Sequence, residues 1–277
     1  MTKQRVFKKL HTVFVLSLSN PATMIKLKKI LPDLISLYFR KFQFYIDTRL
    51  TKDKTRKYEH LFTGHLLDIG AGDKPYENLF TKVESYIGTN TATGYDSQMR
   101  KQIERFTDYW IEDGTSLPFQ DESFDCVVSY QVLPVFENPD LFFREVHRVL
   151  IQDGLFMVAT NFMYPEWSDI DILRHTPNGL NKIAGKTGFS LVAQESYGSI
   201  LTTLYSIILK YWRNYPAVIA SRKHPIHKLT SLVIFLFILL FQPFLSVIGM
   251  FIYLLEKNKT SDFATTVNSL LVVRKSG

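Results

Sequence analysis

His65-Leu-Leu-Asp-Ile-Gly-Ala-Gly-Asp-Lys-Pro-Tyr76 is a short apolar run that ends on an aspartate and breaks into a glycine turn. Residues 66–69 have the length and composition of a buried strand. Gly70 and Gly72 then form a turn in which a ligand can approach the backbone. In open α/β sheets ligands sit outside the carboxyl ends of the strands, so this turn is the first candidate site. A dinucleotide fingerprint would require a third glycine at position 75, where Pro75 stands, which argues against NAD or FAD.

Outward from this strand the chain alternates. Short apolar runs recur at 85–88, 109–111, 124–129, 155–160, 191–193 and 268–275, with helical stretches between several of them, notably 140–150 and 178–187. Strands alternating with helices predict an α/β fold with a doubly wound, mainly parallel seven-stranded sheet.

Further motifs follow the glycine turn in order: Asp113-Gly-Thr-Ser-Leu-Pro-Phe119, Asp121-Glu-Ser-Phe-Asp125, Ser129-Tyr-Gln-Val-Leu133 and Phe143-Arg-Glu-Val-His-Arg-Val-Leu150. Together with Asp68-Ile-Gly-Ala-Gly72 they make the region of about 64–189, with 268–275, resemble the class I S-adenosylmethionine (SAM)-dependent methyltransferases, in particular the type-11-like branch. The resemblance implies a Rossmann-like methyltransferase fold, SAM as cofactor and methyl transfer as the activity.

It also implies roles for particular residues. Asp68 would meet the ammonium end of SAM, and Gly70, Ala71 and Gly72 would lie against its methionine part. Asp113 would accept from the adenine amino group, with Gly114 beside it. Tyr130 and Gln131 would line the pocket near the sulfonium. Where the family places an acidic residue for the ribose hydroxyls, this chain has Asn90, whose amide could accept from one hydroxyl and donate to the other without a charge-assisted bond. Where the family often has Glu-His after this chain's Gln131-Val-Leu133, the sequence reads Pro134-Val135.

On the acceptor side, the segment after the fifth strand matches relatives at Tyr164, Asp171, Arg174 and Thr176. Trp167 stands where a histidine is common, so no histidine base carries over, and His175 is the nearest alternative. Asp171 and Arg174 have i,i+3 spacing and could simply pair. No catalytic base is assigned, and no metal site is expected.

The 277 residues, 46% of them hydrophobic and 21% charged, suit one elaborated α/β domain with appendages. The single cysteine, Cys126, excludes an internal disulfide. Residues 1–60 carry 14 Lys/Arg against 4 Asp/Glu, although the whole chain is only +7. This basic segment points to an anionic partner. Its first apolar run is short and broken by serine, so export is rejected. A helix from Pro32-Asp33 would present an aromatic-rich stripe ending at Tyr45 and Ile46, either to a membrane interface or to the main domain.

Residues 229–255 form an apolar stretch long enough to span a bilayer. Strands six and seven, which flank it, belong at one edge of one sheet, so a single full crossing conflicts with the fold. Gln242-Pro243 suggests a break into two half-helices and a membrane hairpin, with Lys228 before it and Lys257 after it on the same side. The chain therefore divides into basic amphipathic N-terminal helices (1–60), a methyltransferase domain (61–200 with 262–277) and an apolar helical insertion (201–261).

The expected function is methyl transfer at the cytoplasmic face of a membrane, to a lipid, isoprenoid or lipid-linked saccharide, with the lipid surface as partner. The alternatives are a degenerate, non-catalytic membrane scaffold and an RNA methyltransferase. The apolar insertion disfavours RNA, since no RNA contact requires it.

Overall fold

The computed structural model describes residues 45–92, 97–163, 170–220, 225–259 and 268–276. The first described helix, α1, is Ile46–Tyr58. The sheet strands are β1 Gly64–Ile69, β2 Val83–Thr91, β3 Tyr109–Ile111, β4 Phe124–Tyr130, β5 Leu150–Asn161, β6 Phe189–Tyr197 and β7 Asn268–Lys275. The other helices are α2 Ser97–Ile103, α3 Pro139–Val149, α4 Pro177–Lys186, α5 Ile200–Ala220 and α6 Pro225–Glu256. The expected helices before residue 45 lie outside the described residues.

The seven strands form one sheet in the order β3-β2-β1-β4-β5-β7-β6. All pairs are parallel except those of β7, which runs antiparallel to both β5 and β6. The mainly parallel seven-stranded sheet, with an apolar helix ahead of its last strand, is as expected, and the reversal of β7 is a feature that the apolar runs do not show. The strand order reverses between β1 and β4, which makes their carboxyl ends the natural ligand crevice.

One face of the sheet holds the main core. Helix α3 buries Phe142, Phe143, Val146 and Val149, one stripe at helical spacing, and these pack with Leu67, Phe156, Leu271 and Val273 in the same cluster. Several motif residues hold this layer in place. Arg148 donates to the carbonyl oxygens of Leu117 and Phe119 and pairs with Asp121 at 2.6 Å, while Glu145 accepts from the Leu117 N–H. Asp125 accepts from the His65 N–H at 2.7 Å, tying β4 to the start of β1.

On the other face, α1 packs through Ile46, Leu50, Thr51 and Thr55, all buried. Its charged side chains tie it to two neighbours. Lys57 and Tyr58 bond Glu195 of β6, and Tyr253 of α6 donates to Asp53 at 2.6 Å.

Helix α6 corrects the expectation of two half-helices. It is continuous over 32 residues, with Pro243 inside it. A proline removes one backbone hydrogen bond, and long apolar flanks on both sides keep the remaining ladder. At 1.5 Å per residue the helix is about 48 Å long. Through residues Val233–Glu256 this helix is long and apolar enough to cross a membrane by length and composition. Little of this stretch is buried, which is not the pattern of a core helix.

By internal contacts the chain forms two units. One comprises residues 1–44 with 219–248, and the other 45–218 with 249–277. The sheet, α1, most of α5 and the last turns of α6 belong to the second.

Candidate functional site

The site begins where β1 ends. Gly70 and Gly72 have φ of 76° and 57°, the left-handed region that glycine enters without strain. The N–H groups of Gly70 and Ala71 both donate to the Thr89 carbonyl at 2.9 Å, folding the turn over β2. A Cβ on Gly70 would lie 2.3 Å from Val132 Cγ2, whereas one on Gly72 would meet nothing within 4 Å. Gly70 is thus required by packing, and Gly72 leaves room for something to approach.

Beside this turn lies a cavity of about 210 Å³. Six expected residues line it: Asp68, Gly70, Ala71, Gly72, Tyr130 and Gln131. Asp73, Pro75 and Tyr76 line it as well. Tyr76 stacks on Tyr130 with ring centroids 3.8 Å apart. Thr55 of α1 donates to the Tyr130 hydroxyl at 3.3 Å, and Lys52 Nζ lies 5.9 Å from the Tyr76 ring centroid. The sequence reading missed Tyr76 and the contribution of α1, because neither belongs to a recurring motif.

Asp68 is 1% exposed. Burial pushes its carboxyl up to about 7, against the lowering influence of a bond from the Tyr86 hydroxyl and of Lys74 nearby. Its Oδ1 is buried without a hydrogen-bond partner. An orphan carboxylate oxygen at the cavity wall fits a ligand that brings a cationic donor.

Gln131 has φ of 62° at the end of β4, where its N–H donates to Ala159 O at 2.8 Å. Its side chain points from the cavity towards β7 and donates to Asn268 Oδ1 at 3.4 Å.

Three expected residues are placed elsewhere. Asn90 is fully buried, and its amide is already engaged. Oδ1 accepts from the Gly72 N–H at 2.8 Å, and Nδ2 donates to Thr107 Oγ1 at 2.8 Å and to Gly72 O at 3.3 Å. Its work is to pin the glycine turn, which leaves no free N–H for the expected exchange with two ribose hydroxyls. Asp113 is exposed and closes a turn on Thr115, whose N–H donates to Oδ1 at 3.0 Å. Gly114 is buried where a Cβ would lie 2.7 Å from Phe136 Cζ, so it serves packing. None of the three lines the cavity.

On the acceptor side, Tyr164 and Trp167 lie outside the described residues. Asp171 is buried and pairs with Arg174 through both oxygens, at 2.6 Å for Oδ2. This is the structural pairing that the i,i+3 spacing allowed. The carbonyl of Pro134 accepts from the N–H groups of Ile172 and Leu173, so the residue that departs from the family pattern anchors this segment. His175 is half-buried, burial lowers its pKa, and Nε2 has no hydrogen-bond partner. Among the described residues, no group of three or more His, Cys, Asp or Glu side chains could hold a metal ion.

The stretch 67–158, from within β1 to β5, matches the family model described as a methyltransferase domain. Residues 67–158 thus carry a methyltransferase domain. The glycine turn and the orphan Asp68 oxygen fit the amino-acid end of S-adenosylmethionine as cofactor. The methyltransferase domain shares its fold with solved structures at low identity. A Galdieria sulphuraria protein, assigned as a sarcosine dimethylglycine methyltransferase, is 15% identical with a TM-score of 0.50, covering 81% of this chain and 84% of that one. A Bacillus halodurans protein assigned as a methyltransferase is 17% identical with a TM-score of 0.50, covering 82% and 99%. No curated protein matches the chain.

Proposed function

We propose that this methyltransferase acts at the cytoplasmic face of a membrane, on a lipid, isoprenoid or lipid-linked saccharide. The observation that carries the reading is the position of the apolar helix. Val233–Glu256 lies in the chain between β6 and β7 of the catalytic sheet, and its last turns belong to the same unit as the cavity. The outer face of α5 adds Ile200, Leu204, Ile208 and Tyr211, each at least half exposed, and the end of α6 adds Phe251 and Leu254. Large apolar side chains repeated on one surface mark an interaction site. The basic first 60 residues suit anionic headgroups.

When bound, SAM supplies a methyl group already activated by its sulfonium. The chain's own residues then bind, orient and exclude water. Asp68 Oδ1 would accept from the cofactor's ammonium, the turn at Gly70 and Gly72 would admit its amino-acid end, and the Tyr76–Tyr130 stack would shield the wall of the cavity.

Labelled-methyl transfer from SAM into membrane, soluble and RNA fractions tests this directly. Label in a membrane lipid supports the reading, and label confined to RNA or soluble molecules sinks it. The second reading is a scaffold without catalysis, favoured by the Tyr86 hydroxyl already on Asp68 and by the internal bonds of Asn90. Calorimetry separates the two, since a scaffold with a degenerate pocket shows no binding even at millimolar SAM.

A further inference from the structure

Tyr86 of β2 stands beside Leu66 of β1 in the parallel register, and Gly88 stands beside Asp68. Partnered residues of neighbouring strands share a face, so Leu66, Asp68, Tyr86 and Gly88 point to the same side of the sheet. Two residues along a strand span about 6.6 Å, which a tyrosine side chain can bridge. From its place beside Leu66 the Tyr86 hydroxyl accordingly reaches Asp68 and donates to Oδ2. Gly88 brings no side chain to the carboxylate, and a Cβ there would lie 2.6 Å from Lys74 Cε and 2.9 Å from Ala71 Cβ. The space on this face is kept for the stem of Lys74, whose Nζ pairs with Asp108 at 2.6 Å and lies 5.5 Å from the centroid of the Tyr86 ring.

The two oxygens of Asp68 are therefore unequal. Oδ2 is engaged by the phenol, whereas Oδ1 is buried without a hydrogen-bond partner, in a residue that lines the cavity. A carboxylate has about four acceptor sites, so one phenol does not saturate it. The charged and titratable groups acting on Asp68 are Tyr86 from β2, Lys74, Tyr76 and Glu77 from the segment after β1, and Tyr130 from β4. Helix α1 adds Lys52, 5.9 Å from the Tyr76 ring centroid. Burial raises all three phenols above the ordinary tyrosine range, so each is neutral at physiological pH and Tyr86 remains a donor. Burial raises Asp68 as well, and the bond from Tyr86 is the first of the influences that lower it, ahead of Lys74.

We propose that Tyr86 is a positioning residue for the cofactor: its bond to Oδ2 fixes the Asp68 carboxylate with Oδ1 towards the cavity, where the cofactor's ammonium is received. A hydrogen bond to the charged form of a carboxylate favours that form. Tyr86 therefore also widens the pH range over which Asp68 is ionised and can pair with a cation. The phenol does not compete with the cofactor, because it occupies the other oxygen. The inference rests on S-adenosylmethionine as the cofactor, and it adds to the site a residue outside the glycine motif.

Calorimetry on the full chain tests it with two probes, S-adenosylmethionine and 5′-methylthioadenosine, which lacks the amino-acid end. Tyr86→Phe keeps the ring and removes the donor. Losing a hydrogen bond to a charged group should move the acid limb of S-adenosylmethionine affinity up by about one to two pH units. Affinity at about pH 7 should then fall by about 5- to 50-fold, while methylthioadenosine affinity stays within about twofold. At about pH 7.5 cofactor binding should release about half a proton more from the variant than from the natural protein, the cofactor's own amino group titrating alike in both. With Asp68→Asn in the background, adding Tyr86→Phe should change cofactor affinity by less than about twofold. An unmoved acid limb, or an equal loss for both probes at every pH, would overturn the proposal. A natural protein that binds neither probe at millimolar concentration would instead overturn the cofactor assignment on which it rests.

Discussion

Glu256, the last residue of the apolar helix α6, accepts a hydrogen bond from the backbone N–H of Ser199 at 2.8 Å, one residue before α5 begins. Its carboxylate also accepts from the hydroxyls of Ser199 and Thr202, the latter at 2.6 Å. An anion at a helix N-terminus satisfies orphan N–H groups and meets the positive end of the helix dipole. The departure and return of the 200–256 segment are thereby fastened at one point beside the sheet.

Glu256→Gln should weaken this fastening, because a neutral amide replaces a buried carboxylate that accepts three bonds. The expected loss is about 1–3 kcal/mol. Thermal unfolding in detergent measures it, and an unchanged melting temperature would show that the ends are held by other contacts.

Asn90→Asp should weaken SAM binding. A carboxylate cannot donate to Gly72 O or Thr107 Oγ1, and it would place a charge in a fully buried position. The cost is about 1–3 kcal/mol in stability, with a looser glycine turn. Tighter SAM binding by calorimetry would reject the pinning role.

The two turn glycines should respond differently. Gly70→Ala forces a Cβ against Val132 and should destabilise the fold as well as abolish SAM binding. Gly72→Ala meets open space and should cost only about 1–2 kcal/mol from its left-handed φ, while still lowering SAM affinity. Denaturant unfolding set beside SAM titration decides it, and equal stability losses would contradict the difference in packing.

SAM binding should release a proton near pH 6. Asp68 is raised from 3.8 to about 7 by burial, so below about 7 the free protein holds it protonated. A cationic ammonium prefers the ionised form, and binding therefore expels the proton. Affinity should fall as pH drops through 7, towards about tenfold per unit well below it. The sign for stability is opposite to that of a salt-bridged aspartate. The folded state binds this proton more tightly than the unfolded chain, so the group's contribution to stability falls as pH rises from about 4 to about 7. Calorimetry in two buffers of different ionisation heat measures the release, and Asp68→Asn should eliminate it.

Much of the architecture was legible in the residue pattern. Apolar runs delimited β3 and β7 and located the other strands, and the ordered motifs identified the domain and the glycine turn. Such features are local: a strand buried on both faces must be apolar, and a left-handed turn must carry glycine. Strand β6 was underestimated, because beyond the apolar run at 191–193 it continues through Gln194, Glu195 and Ser196, which are polar although the last two are buried. What only the tertiary structure decided is where each polar group finds its partner. Asn90 stands at the ribose position in the motif order, yet its amide turns back to Gly72. Asp47 lies outside every motif, yet α1 brings it within reach of Asn268 and Ser206. Hydrogen bonds between residues 18 and 159 positions apart leave no spacing to read in the chain, because packing of the sheet and its covering helices selects them.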